Sequence, residues 1–454
     1  MKRFDLAAIL VIGITLILMI GVVGLGSCIP IDVICQAPDA CAEVSPYGAM
    51  TFSFTQPVQP DLVEKLWQIE PTVAGKWHWL DDRHAQWHSL EPLPVGEPVT
   101  FRFISGPAGQ NGGTINAIYW EARVRQPIIV GISREENKQD LFSFHLDAAG
   151  IATRLTRTDG RVFDYEPAPD GESLAFSVRN DQNGLDLWIV QRDGTGQSML
   201  LNCGPDRCST PAWSPVSNEL AYTRESQGLT PDSPPGVSRV WILDLTSKQT
   251  APLFSDAQMV GYSPQWSPDG QWLSIWDGAK SGIRVVNRGS SETILLETLS
   301  GDTGCWSSNS QSIFYSQIII GETGFHNVIL QANLSKGTIE TIFGGSLDRE
   351  GLSLDYPACH PAERLVVVAA QPNIKIPGRA LHLLDPGSEE EIVIMDDLSK
   401  LPGLYSWNSD GSRLVFQMDQ LTGMENDIEI WTWDRASGEI TRIAQGYKFP
   451  KWLP

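Results

Sequence analysis

The sequence has little positive charge and lacks the motifs that mark many enzymes. Its 454 residues contain 33 Lys and Arg against 54 Asp and Glu, a formal net charge of -21. Phosphate backbones are bound by concentrated positive charge, and no run of basic residues is present, which argues against a nucleic-acid partner. The sequence has no G-x-S-x-G elbow, no phosphate-binding Gly-Lys loop and no H-E-x-x-H helix. These absences favour a non-enzymatic protein.

Cysteine is also scarce, and none of the seven cysteines forms a Cys-x-x-Cys pair of the kind that binds zinc. Two pairs are close enough in sequence for a disulfide to close a short loop, Cys35 with Cys41 and Cys203 with Cys208. Disulfides persist outside the cytosol. We therefore predict these two local disulfides in an exported protein.

The N-terminus carries an uncharged run over residues 6–27, after two basic residues. Roughly twenty residues can span a bilayer, whereas a signal-peptide core has about 7 to 15. The basic flank stays inside, so we expect everything after Cys28 to lie outside the cytoplasm. Residues 25–28, LGSC, resemble the bacterial lipobox, in which the cysteine is lipidated. A transmembrane or signal helix over residues 1–28 and a lipid anchor at the outer face both place the protein at a bacterial cell membrane.

A phrase of the form Trp-Ser-Pro-Asp-Gly recurs seven times in the second part of the chain. Aligned on its proline or on the residue that replaces it, the copies stand at Pro169, Pro215, Pro268, Ser308, Pro361, Ser409 and Pro454. The steps range from 40 residues (308 minus 268) to 53 (268 minus 215). A four-stranded propeller blade has a period of roughly 40 to 50 residues. The spacing therefore predicts a ring of blades.

Each copy has the same internal order: a strand, a Pro-Asp-Gly turn, a second strand, a third strand and a fourth. The last copy supplies only a first strand, while residues 127–156 supply a second, third and fourth strand without a first. Joining the two ends completes a blade and removes exposed sheet edges. We predict an all-β fold with a seven-bladed β-propeller over residues 127–454, closed by its C-terminal strand, with six or eight blades as alternatives.

The phrase PQWSPDGQWLSIW, residues 264–276, and its later echoes resemble the WD-like β-propeller repeat of the TolB family. The resemblance covers residues 127–454 and implies that the motif is blade architecture, with Trp266 packed between blades. Two copies depart from it, at residues 308–310 and at Cys359 and His360. We interpret His360 as a structural replacement and not as a catalytic base.

Residues 45–126 have the pattern of a small β-sandwich after a linker over residues 29–44. Met50, Phe52 and Phe54 alternate with polar residues, as in a half-buried strand. The phrases F-x-Q-P-V, P-x-x-x-G-x-W-x-W and P-L-x-x-G-x-x-V-T-F resemble the bacterial Ig-like domain of S-layer-type proteins. The resemblance implies an Ig-like module that acts as a spacer.

Residues 77–88, WHWLDDRHAQWH, contain three histidines and two aspartates that could form a metal site. We predict instead a hairpin that turns over residues 81–84. In that hairpin Trp77 lies opposite His88, and His78 and His88 point to opposite sides of the sheet. A shared metal ion is then not expected.

Residues 180–186, NDQNGLD, place several oxygen ligands near a glycine. A calcium ion near Asp181, Asn183 and Asp186 is one interpretation. The segment lacks the spacing and closing glutamate of an EF-hand and falls where the second and third strands join. We predict a turn here and no cofactor.

The connections between strands differ systematically in length. Those joining strands one to two and three to four are short, whereas the others, over residues 201–208, 224–238, 318–326, 344–355, 371–379 and 419–427, are long and varied. Alternate connections emerge on opposite faces, so the long loops share one face, and binding residues concentrate on such loops. The candidate binding residues are Arg224, Asp232, Glu322, His326, Asp348, Arg349, Lys375, Arg379, Asp419 and Asp427.

These patterns predict a membrane-tethered extracytoplasmic protein that is not an enzyme. We expect the long-loop face to bind a protein, a peptide or a cell-wall glycan. Two alternatives stay open. One is a glycan-active hydrolase or lyase with paired carboxylates in the central channel. The other is a structural role in a cell-surface layer.

Overall fold

The structure, a computed structural model, describes residues 14–15, 30–36, 42–46, 49–135, 138–228, 230, 233–321, 324–344, 352–372, 375–388, 391–421 and 428–454. The chain divides into two compact units, Met1–Gln126 and Pro127–Pro454. Cys28 and the predicted anchor, apart from residues 14–15, lie outside the described residues. No helix in the described part of the chain is long and apolar enough to cross a membrane.

The first unit is built from short strands and one described helix. The strands are β1 Pro30–Ile31, β2 Val33–Cys35, β3 Glu43–Val44, β4 Ala49–Phe54, β5 Trp67–Glu70, β6 Gly75–Trp79, β7 His84–Ser89, β8 Pro98–Phe103, β9 Gly106–Pro107, β10 Thr114–Ile115 and β11 Ile118–Val124, and the helix is α1 Pro60–Leu66. These strands form two four-stranded sheets, β3-β11-β8-β5 and β2-β4-β7-β6, and a small three-stranded sheet, β1-β10-β9.

An aromatic core holds these sheets together. Phe52, Phe101, Phe103 and Trp87 are almost fully buried, and the ring of Phe52 contacts that of Phe103 edge to face at 5.5 Å. Helix α1 begins at a proline, which the first turn of a helix accepts because no helical hydrogen bond is lost there. The helix buries Val63 in the same core. The unit is a two-sheet β-sandwich, and its Ig-like relationship stays a prediction.

The predicted linker over residues 29–44 was wrong, because β1, β2 and β3 lie within it and pair with strands of the sandwich. Ile31, Val33 and Val44 are buried in the core. Strands of two or three residues are too short to show the alternating pattern by which strands are recognised. Cys35, at the end of β2, is disulfide-bonded, and Cys41 lies outside the described residues.

The predicted register of the β6–β7 hairpin was also wrong. Trp77 lies opposite Trp87, and His78 lies opposite Gln86. The turn spans residues 80–83, one position earlier than predicted, and a one-residue shift moves every side chain to the other face. His78 and His88 therefore share a face, although no group of three or more potential metal ligands occurs among the described residues.

The second unit consists of four-stranded antiparallel sheets. Its strands are β12 Ile128–Ser133, β13 Leu141–Phe144, β14 Ala152–Arg154, β15 Val162–Pro167, β16 Ser173–Arg179, β17 Leu185–Gln191, β18 Ser198–Leu201, β19 Arg207–Trp213, β20 Glu219–Glu225, β21 Ser238–Asp244, β22 Thr250–Pro252, β23 Tyr262–Trp266, β24 Trp272–Asp277, β25 Gly282–Asn287, β26 Thr293–Glu297, β27 Cys305–Trp306, β28 Ser312–Gly321, β29 Gly324–Asn333, β30 Thr338–Phe343, β31 Ser353–Cys359, β32 Val366–Gln371, β33 Ala380–Leu384, β34 Glu391–Met395, β35 Lys400–Trp407, β36 Arg413–Gln420, β37 Ile428–Asp434, β38 Ile440–Gln445 and β39 Tyr447–Leu453.

The described strands form seven such sheets in chain order, which confirms the all-β propeller fold. Six are β15 to β18, β19 to β22, β23 to β26, β27 to β30, β31 to β34 and β35 to β38, and the seventh joins β14, β13 and β12 to β39. The first two are linked by one parallel bridge, between Leu185 and Arg207. The first strands of neighbouring sheets contact one another, which places them at the centre of the ring.

The ring closes through β39, which pairs with β12 from Ile128–Leu453 to Ser133–Tyr447. The hydroxyl of Tyr165 donates hydrogen bonds to the carbonyls of Val130 at 2.7 Å and Phe449 at 2.6 Å. One side chain from the next sheet therefore holds both strands of the closing pair.

The Pro-Asp-Gly motif forms the same hydrogen-bonded turn even where its sequence changes. The Ser267 hydroxyl donates to the Asp269 carboxylate at 2.6 Å and accepts the N–H of Trp272 at 2.9 Å. In the variant copy the Ser307 hydroxyl donates to Asn309 at 2.8 Å in the same way. Gly270 adopts φ +68 at the end of this turn, a left-handed conformation that glycine adopts without strain.

At four boundaries the indole nitrogen of the motif tryptophan donates a hydrogen bond to a carbonyl of the preceding sheet. The bonds run from Trp213 to the carbonyl of Glu166 at 3.0 Å, Trp266 to Ala212 at 3.1 Å, Trp407 to Ala358 at 3.4 Å and Trp452 to Ser406 at 3.1 Å. A buried indole N–H needs an acceptor, so the tryptophan fixes the distance between blades as well as filling space.

A disulfide replaces this bond at one boundary. Cys359 stands at the tryptophan position of its copy, and Cys305 stands at the position that supplies the carbonyl in the preceding sheet. The two are bonded, with their Cα atoms 5.5 Å apart. The sequence did not predict this pairing, since the residues are 54 apart and meet only when first strands pack side by side. Cys203 and Cys208 form a second disulfide.

His360 occupies the position of the motif serine. Its Nδ1 accepts the backbone N–H groups of Ala362 and Glu363, and its Nε2 donates to the carbonyl of Gly411 at 3.0 Å. The ring is buried against Trp407. Burial lowers the pKa of His360, which keeps the imidazole neutral in a structural role.

Candidate binding face

The two faces of the ring follow from the order of the strands. Connections from first to second and from third to fourth strands form the short-turn face, and the other connections form the long-loop face. Of the ten candidate binding residues, Asp232, Glu322, Asp348, Arg349 and Asp427 lie outside the described residues. The described candidates are Arg224, His326, Lys375, Arg379 and Asp419.

Only Lys375 and Arg379 of these lie in connections; the others lie within strands. The loop predicted over residues 318–326 is largely the end of a long hairpin, in which Ile319 pairs with His326. The sequence Ile-Ile-Ile continues the strand because β-branched residues favour extended backbone. Asp419, near the end of β36, accepts hydrogen bonds from Gln417.

Arg224 holds a loop in place. Its guanidinium pairs with the Asp206 carboxylate at 2.8 Å and lies over the ring of Trp241 at 5.1 Å. The same carboxylate accepts the N–H of Gln227 at 3.0 Å. The positive charge of Arg224 is therefore neutralised by Asp206 of its own sheet, which makes Arg224 a poor candidate for binding a ligand.

Arg379 joins a group of polar residues at the long-loop end of β31. Its guanidinium lies 3.3 Å from the Asp355 carboxylate and 5.4 Å from the centre of the Tyr356 ring. Asn327 donates to the same carboxylate from the neighbouring sheet. The Nε atom of Arg379 is buried and has no hydrogen-bond partner among the described residues.

Asp302 brings a second carboxyl group to this place. Burial raises the pKa of Asp302; hydrogen bonds from the backbone of Gly304 and Thr303 act against this, and the charge of Asp355 adds to it. Its Oδ2 atom is buried without a partner within the described residues. Burial therefore favours the protonated form of Asp302 beside the Asp355–Arg379 ion pair.

The central strands carry a repeated distortion at the long-loop end. Five side-chain-bearing residues on these strands have positive φ: Thr210 at 48, Ser263 at 53, Tyr356 at 53, Leu404 at 50 and Phe449 at 56. Each stands five positions before the motif position of its copy, where the pairing shifts at a β-bulge. Such residues cost of order 1–3 kcal/mol each and occur preferentially at functional sites.

Three of these distorted positions expose large apolar side chains. Tyr356 is 50% exposed, Leu404 51% and Phe449 38%. They lie on β31, β35 and β39, first strands that neighbour one another around the centre of the ring. We call them the apolar arc.

Four cations lie on the same face, on the last sheet of the apolar arc and on the two sheets that follow it around the ring. Arg134 follows β12, Arg179 ends β16, Arg207 begins β19 and Lys448 lies in β39. The guanidinium groups of Arg179 and Arg207 each lie 5.5 Å from the Phe163 ring centre, and Lys448 lies 5.2 Å from that of Phe449. We call the four residues the cationic arc.

Sequence reasoning missed the cationic arc because its members are far apart in sequence and stand near strand ends, and only Arg207 lies in a predicted long loop. Burial lowers the pKa of Lys448, and the charges of Arg179 and Arg134 lower it further. These charges must therefore lie close enough to repel one another. The only available sequence signal was a basic residue next to an aromatic one, as in Lys448–Phe449.

Two of the three residues of the calcium interpretation have side-chain partners of their own. Asp181 pairs with Arg161 at 3.0 Å, and Asp186 accepts from the Asn180 side chain at 3.0 Å and from the N–H of Cys203 at 2.8 Å. Asn183 adopts φ +63 in the turn between β16 and β17. These bonds hold the turn itself.

No protein-family model matches the sequence, and no curated protein matches it at a significant level. Among solved structures, the fold is similar to TolB from Acinetobacter baumannii, at 13% identity and TM-score 0.42 over 72% of this chain and 82% of that one. It is also similar to the β-propeller domain of the Trilobed protease from Pyrococcus furiosus, at 17% identity and TM-score 0.45 over 63% and 83%.

An oligogalacturonate lyase from Vibrio parahaemolyticus is similar over 70% of this chain and 85% of that one, at 13% identity and TM-score 0.45. These similarities are of fold alone.

Proposed function

We propose that this protein is a non-enzymatic binding protein whose propeller holds a protein or peptide partner on the long-loop face. The observation that carries the proposal is the apolar arc. Three large apolar side chains are held on positive-φ backbone at the centre of one face, where they contribute little to the core. Exposed apolar groups on a rigid scaffold are typical of interaction sites.

The opposite face supports the same assignment. There the polar groups of the motif turns bond to each other, as in the Ser267–Asp269 pair. The two faces therefore differ in what they leave available to a partner. We further propose that the N-terminal segment tethers the protein at the outer side of a bacterial membrane, with the sandwich as a spacer, as the sequence predicts.

The test is affinity capture with the full chain in solubilised membranes. One bait carries Tyr356→Ser, Leu404→Ser and Phe449→Ser, and the control carries Ile339→Ser and Ile392→Ser, exposed apolar residues on the outer strands β30 and β34. We expect partners captured by the wild type to be retained by the control and lost by the arc variant. Equal recovery by both variants would reject the long-loop face as the binding surface.

The Asp302–Asp355 pair favours a second candidate function, a glycan-active hydrolase or lyase at the centre of the ring. Such enzymes use two carboxyl groups that differ in protonation. Purified full-length protein should then turn over a polysaccharide in a panel of neutral and acidic glycans, and Asp302→Asn should abolish that turnover. Activity that Asp302→Asn leaves unchanged would exclude this site.

A further inference from the structure

The cationic arc gathers four positive side chains on one face of an acidic protein, and three of them form no ion pair among the described residues. Arg207 has one carboxylate nearby, Glu225 at 3.9 Å. No carboxylate of the described residues lies within 4.0 Å of the charged groups of Arg134, Arg179 or Lys448, and Arg179 donates only to the neutral amide of Gln139. Elsewhere on the same face, Arg224 and Arg379 are paired.

Holding these cations together costs free energy in the unbound protein. Like charges in a partly buried setting repel each other more strongly than in water. Burial lowers the pKa of Lys448, and the charges of Arg179 and Arg134 lower it further, which is the direction that this repulsion requires. An anion at this place would remove the repulsion, so the arrangement favours an anionic ligand.

The aromatic rings of the arc position the cations. Arg179 and Arg207 both lie over Phe163, and Lys448 lies over Phe449. A guanidinium held in this way presents its N–H fork to a carboxylate or phosphate. These contacts favour an anionic group over a neutral glycan.

The apolar arc supplies the second part of the recognition. Phe449 belongs to both arcs, and Leu404 and Tyr356 follow it on the neighbouring first strands. A ligand that spans both arcs must carry apolar groups as well as negative charges. A phosphate polymer or acidic polysaccharide lacks the apolar part, whereas a peptide can supply both.

We infer that the cationic arc binds the acidic side chains of a peptide segment whose apolar side chains cover the apolar arc. This assignment rests on the proposed function and names the chemistry of its partner. Two carboxylate contacts with charged donors are worth about tenfold or more in affinity.

The test measures the binding of fluorescent twelve-residue peptides to the full chain by anisotropy. The probe is (Glu-Glu-Leu)4, and the comparison peptides are (Gln-Gln-Leu)4 and (Lys-Lys-Leu)4. The key variant is Arg179→Gln with Lys448→Gln. Its control is Lys248→Gln with Lys336→Gln, which removes the same charge from two exposed turns on the short-turn face.

We expect the acidic peptide to bind best, to lose about tenfold in affinity in the arc variant and to keep its affinity in the control variant. A bound carboxylate should also slow the labelling of Lys448 by an amine reagent, because it favours the charged amine. Thermal unfolding of both variants verifies that they fold.

Equal binding of the acidic and neutral peptides, or no effect of the arc variant, would overturn the inference. Binding of inorganic polyphosphate with no binding of the acidic peptide would overturn the peptide assignment. If capture of partners fails in the apolar-arc variant but not in Arg179→Gln with Lys448→Gln, the proposed function stands and the cationic arc has no part in it.

Discussion

The two faces of the propeller are made by the same repeat, but they differ in whether its copies keep the same side-chain hydrogen bonds. On the short-turn face the copies differ in sequence and agree in geometry: Ser307 and Asn309 form the bonds that Ser267 and Asp269 form. On the long-loop face the bulge recurs while its side chain changes from Thr210 to Leu404. Folding therefore constrains one face closely and leaves the chemistry of the other free to vary.

We expect the largest loss of stability from breaking a buried ion pair on the long-loop face, which tests whether that face also contains bonds that stabilise the fold. Asp277 and Arg284 lie at that face and pair at 2.6 Å, with 4% and 12% of their side chains exposed. Asp277→Asn leaves a buried guanidinium without its counter-charge, so we expect the free energy of unfolding to fall by about 3–5 kcal/mol. Chemical denaturation measures it.

The matched control is Asp181→Asn, which breaks the exposed pair with Arg161. Surface ion pairs contribute about 0–1 kcal/mol, so this change should be small. If the two variants lose equal free energy of unfolding, burial does not decide which ion pairs on this face stabilise the fold.

Removing the disulfide between the fourth and fifth sheets measures how much an inter-sheet bond contributes to stability. Cys305→Ser with Cys359→Ser should lower the free energy of unfolding by about 2–4 kcal/mol, since the disulfide closes a long segment of chain. Cys203→Ser with Cys208→Ser, separated by 5 residues, should cost less than this. Denaturation of both variants under non-reducing conditions gives the comparison, and a larger loss in the second would contradict it.

Trp266→Phe removes one indole bond between sheets. The carbonyl of Ala212 then loses its donor from the next sheet, and we expect a loss of about 1 kcal/mol. Trp272→Phe is the control, because its indole nitrogen has no hydrogen bond within the described residues. The midpoint of denaturation should fall further for the first variant than for the second.

His360 gives the smallest and most specific effect. Burial lowers its pKa, so below the unfolded value of about 6.5 the unfolded chain binds the extra proton and the folded protein loses stability. His360→Ser restores the motif residue and removes this titration. Between pH 7 and 5 the wild type should therefore lose more stability than the variant. A parallel decline of the two would contradict the assignment.

The sequence predicts the repeat well because each copy carries its own turn and strand signals, and Trp266 lies between blades as expected. It fails where the outcome depends on register or on distant chain segments. One residue of turn length decides whether His78 and His88 share a face. Lys448 and Arg179 meet only through the closed ring, and no local pattern brings Cys305 to Cys359.

The pairing of β12 with β39 places the beginning of the ring next to its end, since Ile128 lies opposite Leu453. A ribosome delivers β12 first and β39 last among the strands of the ring, so the ring cannot close until β39 has emerged. Until then β12 has an unpaired edge, open to any other extended segment. The cationic and apolar arcs are also incomplete until the ring closes, because Lys448 and Phe449 both lie in β39.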